Sequence, residues 1–182
     1  MLLRRAFMPL FLRFKRHCLS KTSELVLATS LRDIARLGAR VKTLQLHKSN
    51  DLVCRQIMCE HLSDACACRL ALALERVPQL QCLDLSNNKL RTLPDAVYTL
   101  QHLKTLNVQQ NRLTTLSTDV EKLTELEMLN VCDNELKTLP VKQLETLEKL
   151  KTLQVVGNYD LIQNLERLNM SEQLKAKVVL VK

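Results

Sequence analysis

The sequence predicts an α/β fold: a curved solenoid of short stacked units, with a parallel concave sheet and a helical cap at each end. Two features of composition and one of order lead there. Apolar residues make up 46% of the 182, yet Trp is absent and aromatics are only 3%. A core of mixed shapes would use large rings to fill irregular space. One built almost wholly of Leu implies a single small packing unit used repeatedly. The repetition is visible. LQCLDLSNNKLRTLPDAVYTLQH from Leu80, LKTLNVQQNRLTTLSTDVEKLTE from Leu103, LEMLNVCDNELKTLPVKQLETLEK from Leu126 and LKTLQVVGNYDL from Leu150 superimpose, at spacings of 23, 23 and 24 residues.

Each copy opens with a short strand whose alternate residues point inward: Leu83 and Leu85, Leu106 and Val108, Leu129 and Val131, Leu153 and Val155. Asn88, Asn111, Asn134 and Asn158 follow where the chain turns out of the strand. An inward amide there can bond the turn backbones of its own and the adjacent unit, as a structural ladder. Leu93, Val97, Leu100 and their equivalents close the convex side. Pro94 and Pro140 suit an extended arm with no ladder bond to donate, and Ser117 replaces Pro in the second copy. The pattern, LxxLxLxxNxLxxLPxxxxxLxxL, resembles the leucine-rich-repeat family over about half the chain.

Such units cannot bury their faces alone, so both ends need caps. Residues 80–160 are the repeats, 23–79 an N-terminal cap, 161–182 a C-terminal cap and 1–22 a separate basic segment. Within the N-terminal cap, Ser23 to Leu37 is expected as a helix with Leu27, Leu31 and Ile34 on one face, stopped by Gly38. Val41 to Leu46 is expected as a degenerate earlier strand, followed by a helical insert from Asp51 to about Val77. Leu161, Leu165, Leu168 and Leu174 predict a helical C-terminal cap, and Val178 to Val181 a short strand.

The formal charge of +8 belongs to one end. Arg4, Arg5, Arg13, Lys15, Arg16 and Lys21, six of the 27 basic residues, precede the first acid, Glu24, and leave 21 against 19 acidic residues. A near-neutral body lacks the basic stripe of a nucleic-acid-binding domain. Seven cysteines form an odd set with no framework spacing, which fits reduced thiols in a cytosolic or matrix setting. Arg13, Lys15 and Arg16 cut short the apolar run that a secretory signal needs, and no run approaches a membrane span.

No catalytic residue, metal or cofactor is expected. Two glycines, Gly38 and Gly157, cannot supply a phosphate loop or a nucleophile elbow. The four His residues are scattered. The sharpest metal candidate, Cys54, Cys59, His61, Cys66 and Cys68, lacks the CxxC knuckles of zinc sites. Helical residues two apart diverge by about 200°, so packing thiols are the simpler reading.

The repeat register instead marks the outward strand positions as a binding face. They form the columns Thr43, Cys82, Thr105, Met128, Thr152; then Gln45, Asp84, Asn107, Asn130, Gln154; then His47, Ser86, Gln109, Cys132, Val156, with Asn87, Gln110 and Asp133 at the rim. This surface offers hydrogen bonds to a protein partner, but no Arg for phosphate and no ring for a base.

The first residues hold all three phenylalanines. Leu3, Phe7, Leu10 and Phe14 line one face of a helical wheel, with Arg4, Arg5, Lys15 and Arg16 opposite and Pro9 as a kink. Arg-rich, acid-free and amphipathic is the composition of a mitochondrial targeting segment; a membrane-surface helix and an arm contacting RNA phosphates are the other readings. Together these features point to a non-catalytic protein-interaction subunit of a large matrix assembly, a mitochondrial ribosome or a respiratory complex. The alternative is a cytosolic adaptor that regulates a signalling enzyme.

Overall fold

The computed structural model describes residues 26–54 and 66–180. Seven strands form one parallel sheet in sequence order: β1 (Val26–Ala28), β2 (Val41–Gln45), β3 (Cys82–Asp84), β4 (Thr105–Asn107), β5 (Met128–Asn130), β6 (Thr152–Gln154) and β7 (Val178–Val179). From β2 to β6 the register is strict, with Leu44, Leu83, Leu106, Leu129 and Leu153 paired in a row. Parallel strands need a return crossover on one side of the sheet. Here the crossovers carry the remaining leucines, so one continuous core fills the space between sheet and returns.

The returns from β3, β4 and β5 are single turns of helix. Pro94 stands before a 3₁₀ turn at Asp95–Val97, and Ser117 before one at Thr118–Lys122. Pro140 stands before an α-turn, α3, at Val141–Glu145. The prolines thus stand as N-caps at the end of each arm, Pro94 in extended backbone as expected, and the arm passes from there into a helical turn. Ser117 serves in Pro's place because its hydroxyl accepts from the Asp119 N–H at 3.1 Å. The 24-residue repeat is the one with the α-turn: its extra residue lies between Pro140 and Leu144, within that turn.

The N-terminal cap corrects one expectation. No helix runs through Leu27, because Val26–Ala28 is strand β1, pairing with β2. Helix α1 covers only Leu31–Leu37. Its start is set by a reciprocal capping box: the Asp33 N–H donates to Ser30 Oγ and the Ser30 N–H to Asp33 Oδ2, both at 3.1 Å. The Thr29 N–H donates to the same carboxylate, and these bonds hold its pKa below the usual range. Gly38, at φ +55°, ends the helix. The insert after β2 holds a 3₁₀ turn at Asn50–Leu52 and then α2, Ala67–Leu74, with Leu70 and Leu74 buried; residues 55–65 lie outside the described set.

The C-terminal cap comes in pieces: α4 (Tyr159–Gln163), a turn at Leu165–Arg167 and α5 (Glu172–Lys177). Leu161 and Leu174 are buried against the core, with Leu165 and Leu168 packed beside them. Ser171 caps α5, and its N–H donates to Glu145 Oε1 at 2.7 Å, tying the cap to α3. Among the described residues no helix is long and apolar enough to cross a membrane.

Candidate functional site

The turn after each strand fixes how the outward face is presented. Lys48, Asn87, Gln110 and Asp133 all take a left-handed backbone, φ between +47° and +59°, and Gly157 holds the same place at +81°. One step further stand the four asparagines. Asn111 is typical: its Nδ2 donates to Leu85 O, Val108 O and Gln109 O, while its Oδ1 accepts from the N–H groups of Asn88 and Leu90. Asn88, Asn134 and Asn158 repeat the arrangement, each joining its own unit to the preceding one. All four are buried. The ladder continues the pairing of the strands into the turns.

On the opposite side of the sheet, pairing lines up Thr43, Cys82, Thr105, Met128 and Thr152 in one row, and Gln45, Asp84, Asn107, Asn130 and Gln154 in the next. His47 Nδ1 meets Ser86 Oγ at 2.8 Å in the third row, where Gln109, Cys132 and Val156 follow. The polar rows are knitted together. Asn107 Nδ2 donates to Asp84 Oδ1, Asn130 Nδ2 to Gln109 Oε1, and Gln109 Nε2 to Asp133 Oδ2, at 3.1 to 3.2 Å. Each central carboxyl or amide oxygen also accepts from the backbone two residues on: Asp84 from Ser86, Asn107 from Gln109, Asn130 from Cys132. These side chains therefore shape the strand ends as well as face outward.

Two members of this face escaped sequence reasoning. Leu27 pairs with Thr43 and extends the first row as an exposed apolar edge, and Val179 pairs with Gln154 and extends the second. Leu27 was hidden by its assignment to a helix, although the Ser30–Asp33 capping box placed the helix start beyond it.

Beside the face, ion pairs link successive units: Lys151 to Glu127 at 2.6 Å and Lys149 to Glu125 at 2.5 Å. The Lys149 ammonium bonded to Glu125 holds that carboxyl below the usual range. Both ammonium groups are more than half exposed, so the pairs are worth little to stability.

The cysteines depart from expectation. Cys66 is the N-cap of α2, in an extended backbone, so the helical divergence of residues two apart does not apply. Its sulfur accepts from the Cys68 N–H at 3.4 Å, and the Cys66 and Cys68 sulfurs lie side by side. Cys54 is buried in the insert; Cys18, Cys59 and His61 lie outside the described residues, as do Arg4, Arg5, Arg13, Lys15 and Arg16. Among the described residues no three His, Cys, Asp or Glu side chains gather to hold a metal. Two open depressions are lined by Gln101, His102, Lys122, Thr124 and Glu125 and by Arg91, Thr92, Arg112, Thr114 and Glu135.

Comparison with known proteins agrees with this geometry. The family model described as a leucine-rich repeat region matches residues 31–180. Among solved structures, a leucine-rich-repeat protein of Leptospira interrogans is similar at 31% identity with a TM-score of 0.52, over 61% of this chain. The match spans 27% of that protein's length. No curated protein matches the chain. Repeats, asparagine ladder and parallel sheet coincide with the matched residues: this chain belongs to the leucine-rich-repeat family, whose fold suggests a role in binding other proteins.

Proposed function

We propose that this protein is a non-catalytic interaction subunit that grips a protein partner with its concave face, inside a large mitochondrial assembly such as a ribosome or respiratory complex. The observation that carries the reading is the chemistry of that face. Its fifteen column residues include one acid, Asp84, and no Lys or Arg, with amides and hydroxyls held in register across five strands. Such a surface suits hydrogen bonding to polypeptide and gives no counter-charge to phosphate. Residues 1–22 supply the other half: acid-free and carrying six basic side chains, they suit import into the matrix or an anchor on rRNA. The expected localisation follows from that segment alone.

Fractionation of the endogenous protein, followed by sedimentation with and without RNase, tests the reading. Co-migration with a mitochondrial particle is expected. Collapse of that particle on RNase treatment assigns a ribosome, and resistance assigns a protein complex. Recovery as a cytosolic monomer would overturn the proposal, and recovery bound to a cytosolic enzyme would replace it with the adaptor reading.

A further inference from the structure

The concave face is nearly uncharged, but the flank where the chain leaves it is not. After β3, β4 and β5 the segments 89–92, 112–115 and 135–138 run side by side. The Arg112 N–H donates to Leu90 O at 2.8 Å and the Glu135 N–H to Leu113 O at 3.0 Å. Each segment anchors one leucine in the core, Leu90, Leu113 or Leu136, and exposes its other three residues. Charge there is one-sided, with Lys89, Arg91, Arg112 and Lys137 against Glu135. None of these four cations is ion-paired with a described residue. Ahead of the strands, by contrast, Lys149 and Lys151 are tied to Glu125 and Glu127. Arg91 and Arg112 share an open cavity of about 470 Å³ with Thr92, Thr114 and Glu135, room for a short run of side chains rather than a lone ion.

We propose that this cavity is a second protein-binding site, one that takes an acidic segment of a partner polypeptide. A guanidinium fork matches the two oxygens of a carboxylate, and two such forks reach the cavity from adjacent segments. The hydroxyls of Thr92 and Thr114 add donors beside them. Glu135 decides the class of partner. A phosphate brings charge and acceptors, which a carboxylate on the cavity wall repels. A polypeptide brings carboxylates for the arginines and backbone N–H groups for Glu135. None of the five lining residues carries a ring on which a base could stack. Because the cations are solvated, they act on the choice of partner and the rate of encounter as much as on affinity.

The test titrates the full chain into a fluorescein-labelled peptide of alternating Glu and Ser, read by anisotropy. Inorganic phosphate, oligouridylate and the matching peptide of Gln and Ser serve as competitors. The acidic peptide is expected to bind, and the R91Q/R112Q variant to bind it about tenfold more weakly, as charge-assisted hydrogen bonds are lost. Both altered side chains are exposed, so the fold should be unchanged, which circular dichroism checks. None of the competitors should displace the peptide when present at its own concentration. The six basic residues ahead of Glu24 are intact in the variant, so equal binding by variant and wild type would assign the peptide to them and overturn the proposal. Absence of binding to the wild type would overturn it as well. Displacement by oligouridylate replaces the polypeptide with a nucleic acid, and displacement by phosphate reduces the cavity to a simple anion site; either result rejects the proposal. The concave face takes no part in this test, so failure here leaves its role untouched.

Discussion

Replacing Asn111 with Leu separates the ladder's contribution from that of the leucine core, because the two side chains are close in size. Its carbonyl partners are insured: Leu85 O keeps Asn88 Nδ2, and Val108 O keeps Asn134 Nδ2. The N–H groups of Asn88 and Leu90 are not, since both donate to Asn111 Oδ1. Two orphaned donors at ~1–3 kcal/mol each give a loss of roughly 2–6 kcal/mol. Asn134→Leu orphans a single donor, the Leu113 N–H, so its loss is roughly half as large. Urea unfolding followed by circular dichroism measures both. With a slope of about 2 kcal/mol per M, the Asn111 variant's midpoint falls by roughly 1–3 M. Equal losses in the two variants, or a loss below about 1 kcal/mol at Asn111, would refute the donor count.

Gly157→Ala should destabilise more than Gly38→Ala in the same assay. A Cβ at Gly157 runs into the Asp133 side chain and comes within 3.0 Å of its backbone, whereas one at Gly38 meets nothing within 4 Å and adds only left-handed strain, of about 1–3 kcal/mol. Leu106→Asp, at a fully buried site, should abolish cooperative unfolding by leaving a carboxylate in the leucine core. Tyr98 makes stability fall in alkali. Burial pushes its phenol up to about 12 from an ordinary 10. A raised folded-state value means stability is intact below pH 10 and is lost as pH climbs towards 12. Phenolate absorbance, uncluttered by Trp, should therefore show ionisation of Tyr98 coinciding with unfolding, and Tyr98→Phe should remove that pH dependence.

What the sequence disclosed follows from how each feature is encoded. The rows of the sheet were legible because parallel pairing in register turns a 23-residue spacing directly into neighbours, so Asp84, Asn107 and Asn130 fall side by side. Strand β1 was not, since three residues at an edge carry too little alternation to outweigh a helical apolar spacing. Nor was the left-handed rim: Lys48, Asn87, Gln110 and Asp133 share a backbone angle without sharing a side chain, and only Gly157 announces it.

The central claim, that the concave face is the working surface, is tested by sedimentation of a Met128→Arg/Thr152→Arg double variant beside the wild type. Both residues are half-buried on that face and belong neither to the asparagine ladder nor to the polar bonds across the rows, so the fold should persist and circular dichroism checks it. The wild type is expected to travel with its assembly and the folded variant to remain at monomer size. A folded variant that sediments with the wild type would contradict the account.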